Sequence, residues 1–172
     1  MPSNYFFVYD EYTNESRYTK ILRDIEARLT TLDLQGSIGR LALFRNAKDL
    51  VGRRVQDGIT TIVVIGNDIS LRKMMWFLPD IPVSIGYIPI GPPASIATLL
   101  HIPIGPSACN VIAARSIEVL DIGKINDRYF LTEVRIPSTT AVVDVEGQFT
   151  IGPSIGGMIR LRNDAIWNPG HV

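Results

Sequence analysis

An amide, a carboxylate and a hydroxyl crowd one strand end in Gly66-Asn67-Asp68-Ile69-Ser70, directly after the β-branched run Thr60-Thr61-Ile62-Val63-Val64-Ile65. Open α/β sheets bind ligands in the crevice beyond the carboxyl ends of such strands. A helix beginning there adds unpaired N–H groups that favour anions. Gly66, Asn67, Asp68 and Ser70 are therefore candidates for a phosphate or nucleotide site. The Asp68 carboxylate suits Mg²⁺ or its waters against a triphosphate. It suits equally the cap of a helix running from Leu71 to Phe77. Asn67 fits a left-handed turn, and Ser70 fits a cap better than a nucleophile. The pattern recurs in Val83-Ser84-Ile85-Gly86-Tyr87-Ile88-Pro89-Ile90-Gly91, so Gly91 would face the same crevice and both loops would line it.

Other reactive side chains carry less. Asp121 would assist a metal across a cleft between two domains, although an Asp before Ile-Gly is as often a turn former. His101 lies in an apolar helical run and reads as structural; His171 stands near the end of the sequence without interpretable neighbours. Cys109 has no zinc-type neighbour and no base beside it, which makes it a core residue. Trp76 with Met74 and Met75 has helical spacing and packs on a sheet more readily than on a ligand. No Ser-His-Asp set, metal-ligand cluster or Walker loop is written in the chain.

The elements that must position these loops are a doubly wound series. Tyr5–Tyr9 is a first strand. Tyr18, Ile21, Leu22, Ile25, Leu29 and Leu32 share one helix face, with Thr13 or Asn14 as its cap and Gly36 at its end. Ile38–Phe44 is a second strand. Asn46 caps a helix carrying Ala47, Leu50, Val51 and Val55, and Gly58 closes it before the Thr60–Ile65 strand. Val83–Ile88 is the fourth. This β-α-β-α-β order predicts a three-layer α/β fold with a parallel sheet over residues 1–115. Over residues 116–172 the stretches Ser116–Ile122, Tyr129–Ile136, Ala141–Val145 and Met158–Arg162 are strand-like. Turns at Asn126-Asp127, Glu146-Gly147 and Gly156-Gly157 make that portion antiparallel.

In these motifs the sequence resembles the diacylglycerol kinase and sphingosine kinase catalytic domains, whose fold is related to that of NAD kinases and phosphofructokinases. The family reads Gly-Gly-Asp-Gly-Thr where this chain has Gly66-Asn67-Asp68-Ile69-Ser70. It reads Pro-x-Gly-Thr-x-Asn where this chain has Pro89-Ile90-Gly91-Pro92-Pro93-Ala94, followed by Ala97. Its Asp-Leu-Gly-x-x-Asn and aromatic pair resemble Asp121-Ile122-Gly123-Lys124-Ile125-Asn126 and Tyr129-Phe130. Order and spacing agree across residues 3–150. The resemblance implies ATP and Mg²⁺ as cofactors, phosphoryl transfer to a lipid hydroxyl, and Asp68 and Asp121 as catalytic residues. It also implies a β-sandwich after the nucleotide domain, beside which residues 116–172 read as a truncated or reduced version.

The departures weaken that chemistry. Ile69 replaces a glycine, and a β-branched residue resists positive φ. Pro92 and Pro93 offer no N–H to an anion. Ala94 removes an amide side chain. Asp10 and Glu11 place two carboxylates where the family has a neutral turn, and these repel phosphate unless a metal intervenes. Nucleotide binding is therefore expected to be weak and metal-dependent, with transfer weak or lost. A non-catalytic module of the same fold, binding a nucleotide or dimerising through exposed strand edges, is the alternative.

Composition sets the outer limits. With 46% hydrophobic and 20% charged residues the chain can bury a core. Seventeen basic and seventeen acidic residues cancel, which argues against a nucleic-acid partner. One cysteine allows no internal disulfide and the N-terminus has no signal-like head, so a cytoplasmic protein is expected. From Ile81 to Ala114 there is no Asp, Glu, Lys or Arg, but Pro82, Pro89, Pro92, Pro93, Pro103 and Pro106 break any membrane-spanning helix. That stretch reads as a strand, a loop and two short helices. The sharper reading has Leu99, Leu100 and Ile102 as an apolar lip toward a lipid or a partner subunit, which would make the protein membrane-peripheral.

Overall fold

A computed structural model describes residues 5–41, 47–137, 142–152 and 157–164. The chain forms two compact units, Met1–Val119 and Leu120–Val172.

In the first unit β1 (Tyr5–Tyr9) and β3 (Thr61–Gly66) lie at the centre of a four-stranded sheet, with β2 (Gly36–Arg40) and β4 (Ser84–Pro89) at its edges. All pairings are parallel: Phe7 stands opposite both Ile38 and Val63, and Val63 opposite Gly86. The two central strands are buried along their whole length, which is why their sequences are unbroken apolar runs. Each fully buried chain such as Ile62 or Ile65 contributes roughly 1.5–3 kcal/mol. α1 (Thr19–Thr31) and α5 (Ala108–Ala114) cover one face, where Ile25, Leu29, Ala108 and Cys109 pack against Tyr5, Phe7, Tyr9, Val63 and Ile65. On the other face Phe6 and Val8 alternate outward from that core. There α2 (Ala47–Gln56) brings Arg54 over the Phe6 ring at 5.7 Å, and α3 (Asp68–Met75) buries Leu71 and Met74. The result is the three-layer α/β architecture expected from the sequence. The charge-free segment is β4, a loop, α4 (Ser95–Leu99) and α5, and no described helix is long and apolar enough to cross a membrane.

Local boundaries differ for physical reasons. Neither Thr13 nor Asn14 caps α1: residues 11–18 form two 3₁₀ turns, Glu11–Asn14 and Ser16–Tyr18, and it is Asp10 that accepts from the Glu11 N–H. α1 has no side-chain cap. Gly36 does not end that helix but opens β2, after a turn at Asp33 with φ 53°. A Cβ at Gly36 would fall 2.3 Å from the Tyr5 carbonyl oxygen, so close strand approach demands the glycine. β2 begins before Ile38 and ends at Arg40; Phe44 and Asn46 lie outside the described residues.

In the second unit every pairing among the described residues is antiparallel. β5 (Gly123–Ile125) pairs with β6 (Arg128–Phe130), β7 (Glu133–Pro137) with β10 (Met158–Arg162), and β8 (Val143–Val145) with β9 (Phe149–Ile151). Asn126 and Gly147 take positive φ in the two tight turns. Ser116–Ile122 forms no strand: Ile117 and Val119 are exposed and no ladder receives them. The expected Tyr129–Ile136 strand is two, divided at Leu131-Thr132, where Asn163 Nδ2 donates to the Leu131 carbonyl at 3.0 Å. The same amide donates to the Asp121 carbonyl at 2.7 Å, so Asp121 stands in the loop entering β5.

Burial in the first unit has a titration consequence. Burial, and then the Glu26 carboxylate, push the Tyr9 phenol up to about 12 from an ordinary value of 10.0. Tyr12 and Tyr87 move upward as well, both chiefly through burial. A phenol whose folded pKa exceeds its unfolded one stabilises the fold fully below pH 10, and that contribution is lost as pH rises toward 12. Ultraviolet titration is expected to show Tyr9, Tyr12 and Tyr87 still protonated above pH 10, ionising together with loss of circular dichroism. Smooth ionisation of all six tyrosines near pH 10 with the fold intact would contradict this.

Candidate functional site

β3 delivers Gly66 to the carboxyl edge of the sheet, and α3 starts two residues later. Asn67 is the N-cap, in extended backbone with φ −111°, and not a left-handed turn residue. Its side-chain oxygen accepts from the N–H groups of Ile69 (3.0 Å) and Ser70 (3.2 Å). Ser70 Oγ accepts in return from the Asn67 N–H at 3.1 Å, completing a capping box. The Asp68 N–H donates to the Pro93 carbonyl at 2.9 Å. Four consecutive amides, Asn67 to Ser70, are thus all engaged inside the protein.

The first and second loops are fastened directly to one another. Besides the Asp68–Pro93 bond, Asn67 Nδ2 donates to the Pro92 carbonyl at 3.0 Å. The Ile90 N–H donates to the Gly66 carbonyl at 2.6 Å. The Asp68 side chain, 2% exposed, faces the start of α4: Oδ2 accepts from Ser95 Oγ (2.7 Å) and the Ile96 N–H (3.1 Å), and Oδ1 accepts from Tyr87 Oη (3.2 Å). A carboxylate holding three donors at a helix start is a clasp between α3, β4 and α4.

A crevice of about 490 Å³ remains beside this closed junction. Asp10, Glu11, Tyr12, Arg17, Tyr18 and Lys73 line it, with Asn67, Ile69 and Pro92. Lys73 Nζ pairs with the buried Asp10 carboxylate at 3.2 Å. Tyr12 Oη donates to the Ile90 carbonyl at 2.6 Å. Of the residues singled out in the sequence, Asn67 lines the crevice, while Gly66, Asp68, Ser70 and Gly91 lie at the junction of the loops. Asp121 belongs to the second unit. Sequence reasoning missed Lys73, Tyr12 and Tyr18. The signal for Lys73 was available in its spacing from Ile69, four residues on along one helix face.

The fit of the groups the family implies can be tested here. A triphosphate needs free N–H donors or cations; the four loop amides are engaged, and the crevice-lining cations Lys73 and Arg17 are paired with Asp10 and Glu15. A magnesium ion needs several oxygen ligands; Asp68 already serves three donors, and no group of three His, Cys, Asp or Glu side chains converges among the described residues. Neither group fits the arrangement present.

No family model matches the chain. A diacylglycerol kinase of Staphylococcus saprophyticus is 24% identical over 153 residues, which cover 83% of this chain and 50% of that protein. The crystal structure of a diacylglycerol kinase from Bacillus anthracis strain Sterne matches with a TM-score of 0.64 and 16% identity, over 79% of this chain and 48% of the other. The chain spans about half the length of these relatives. The resemblance read from the motifs is borne out, and the fold is that of the diacylglycerol kinase-like proteins.

Proposed function

We propose that the chain is the nucleotide-side portion of a diacylglycerol kinase-like protein in which ATP-dependent phosphoryl transfer to a lipid hydroxyl is weak or lost. Such an acceptor would hold it at a membrane surface, on the cytoplasmic side. The observation that supports this reading is the closed junction: every amide from Asn67 to Ser70 has an internal partner, and the opposite loop is bonded across to it. Phosphoryl transfer depends on positioning and on neutralising phosphate charge. Each absent charge-assisted contact removes about 1.5–3 kcal/mol, so two absent contacts lower affinity about a hundredfold or more. The crevice that persists beside the junction favours, as a second reading, a non-catalytic module that binds a nucleotide or pairs with a second copy through its edge strands.

Calorimetric titration with ATP is expected to give a dissociation constant above about 1 mM without metal. With Mg²⁺ present, any gain would come from a cation placed between the triphosphate and the crevice-lining carboxylates of Asp10 and Glu11. Labelled γ-phosphate is expected not to reach diacylglycerol in mixed vesicles above background. Micromolar, metal-independent binding, or sustained lipid phosphorylation by this chain, would defeat the proposal.

A further inference from the structure

We infer that the crevice beside the closed junction takes an organic cation, an amine carried on an apolar body, in place of the triphosphate that the family resemblance implies. Its lining carries four charged side chains, Asp10, Glu11, Arg17 and Lys73. Lys73 Nζ is engaged by Asp10 at 3.2 Å, and Arg17 Nε by Glu15 at 2.8 Å. Glu11 is exposed, and its carboxylate has no ion-pair or hydrogen-bond partner among the described residues. The charge left unpaired in the lining is therefore a single negative one. An arriving anion meets that carboxylate and finds both lining cations engaged; an arriving ammonium meets an open acceptor.

The chain's own side chains show what these surfaces accept. The Asp10 carboxylate, 5% exposed, already holds an ammonium, that of Lys73, whose side chain is 51% exposed. The Tyr18 ring already carries a guanidinium, that of Arg17, 4.8 Å from its centroid. A desolvated carboxylate and a tyrosine face are both cation-binding groups, and here both are seen occupied by cations. Tyr12 stands edge-on to Tyr18 with 5.2 Å between centroids, and its hydroxyl is fixed on the Ile90 carbonyl at 2.6 Å. The two rings thus form a placed aromatic corner. Ile69 and Pro92 extend it with apolar surface, the first of them where the family's loop has a glycine. At about 490 Å³ the crevice falls in the range of small-molecule pockets, roughly 300–1,000 Å³. Apolar and aromatic walls with one open carboxylate are the makeup of an amine site.

NMR titration of the isotope-labelled full chain at constant ionic strength tests the charge selection with a matched pair of probes. Phenethylammonium and hydrocinnamate share one apolar body and carry opposite charges. Phenethylammonium is expected to shift the amides of Glu11, Tyr12, Tyr18, Ile69 and Lys73 and to saturate in the low-millimolar range, as a ligand of its size allows. Hydrocinnamate is expected to bind at least about tenfold more weakly, because its carboxylate faces Glu11. Methylammonium, the same charge without the body, is also expected at least about tenfold weaker, for want of apolar contact. Glu11→Gln should weaken phenethylammonium about threefold, the worth of one exposed ion contact, and Glu11→Lys should reverse the preference between the two matched probes. Equal or tighter binding of hydrocinnamate by the wild-type chain overturns the inference, whether or not a variant folds. So does methylammonium binding as well as phenethylammonium, or the absence of saturable shifts at these amides up to about 10 mM phenethylammonium. Phosphorylation of lipid is a separate readout. A chain that selects phenethylammonium and still transfers phosphate keeps this inference and loses the proposed loss of transfer.

Discussion

Asp68→Ala is expected to destabilise the first unit by roughly 3 kcal/mol. Three donors lose their acceptor at once. Ser95 is exposed and recovers a water, but Tyr87 Oη and the Ile96 N–H are buried. A buried donor left unsatisfied costs about 1–3 kcal/mol, and the two together give that figure. In a unit of this size each kcal/mol shifts the melting temperature by roughly 4–8 °C, so a fall of more than about 10 °C follows. Asp68→Asn keeps one acceptor oxygen in place and should lose about a third as much. The measurement is thermal and urea unfolding in EDTA and again with excess Mg²⁺. A carboxylate kept for a metal behaves in the opposite way: with no cation present its removal is neutral or stabilising, and Mg²⁺ stabilises the wild type only. That outcome would return Asp68 to the metal role the family resemblance implies and discard the clasp.

How far the sequence could be read follows from how local each determinant is. β1 and β3 were legible because a strand buried on both faces has no choice but an apolar run, and Ile62 to Ile65 are indeed fully buried. The helix start at Asp68 was legible because polar caps follow a strand end. Asn67 was misread because asparagine serves both left-handed turns and N-caps, and only Ser70 three residues on, folding back on it, decides between them. The 3₁₀ segment was illegible for a different reason. Tyr18 has helical-face spacing with Ile21, Leu22 and Ile25, compatible with a longer α1, yet its position and that of Tyr12 are set by contacts with Gly91 and Ile90, far away in the chain. The Asp68 clasp is likewise non-local, since Tyr87, Ser95 and Ile96 come from other elements. Across the division between the units, Ser116–Ile122 has a strand-like pattern, but such a pattern makes a strand only where a neighbour offers a ladder. Sequence patterns thus located the strand end and helix start at which the candidate site was expected; partners across the fold determined whether that junction stands open or closed.

Gly66→Ala should cost about 2–4 kcal/mol, for a reason that separates a closed loop from a phosphate cradle. Gly66 does not have positive φ, so its backbone would accept a side chain. What forbids one is space: a Cβ would lie 2.3 Å from Ser70 Oγ and 2.6 Å from Ser70 Cβ. The second contact is with an atom fixed to the helix backbone, so the first turn of α3 must shift. That shift strains packing, at about 1–3 kcal/mol, and breaks the capping box, at about 1 kcal/mol. The partner variant isolates the cause. Ser70→Gly alone loses the cap, whereas Gly66→Ala combined with Ser70→Gly removes the colliding atoms, so the pair should be scarcely worse than Ser70→Gly alone. The coupling in that cycle is then nearly the whole cost of Gly66→Ala, about 2–4 kcal/mol. A glycine that serves an incoming phosphate gives another result, because its hydrogen faces empty crevice and not a serine. Alanine would then leave folding unchanged and weaken only nucleotide binding. Independent, additive effects of Gly66→Ala and Ser70→Gly on unfolding would therefore show the loop open in solution, and the closed junction on which the proposed loss of transfer rests would have to be given up.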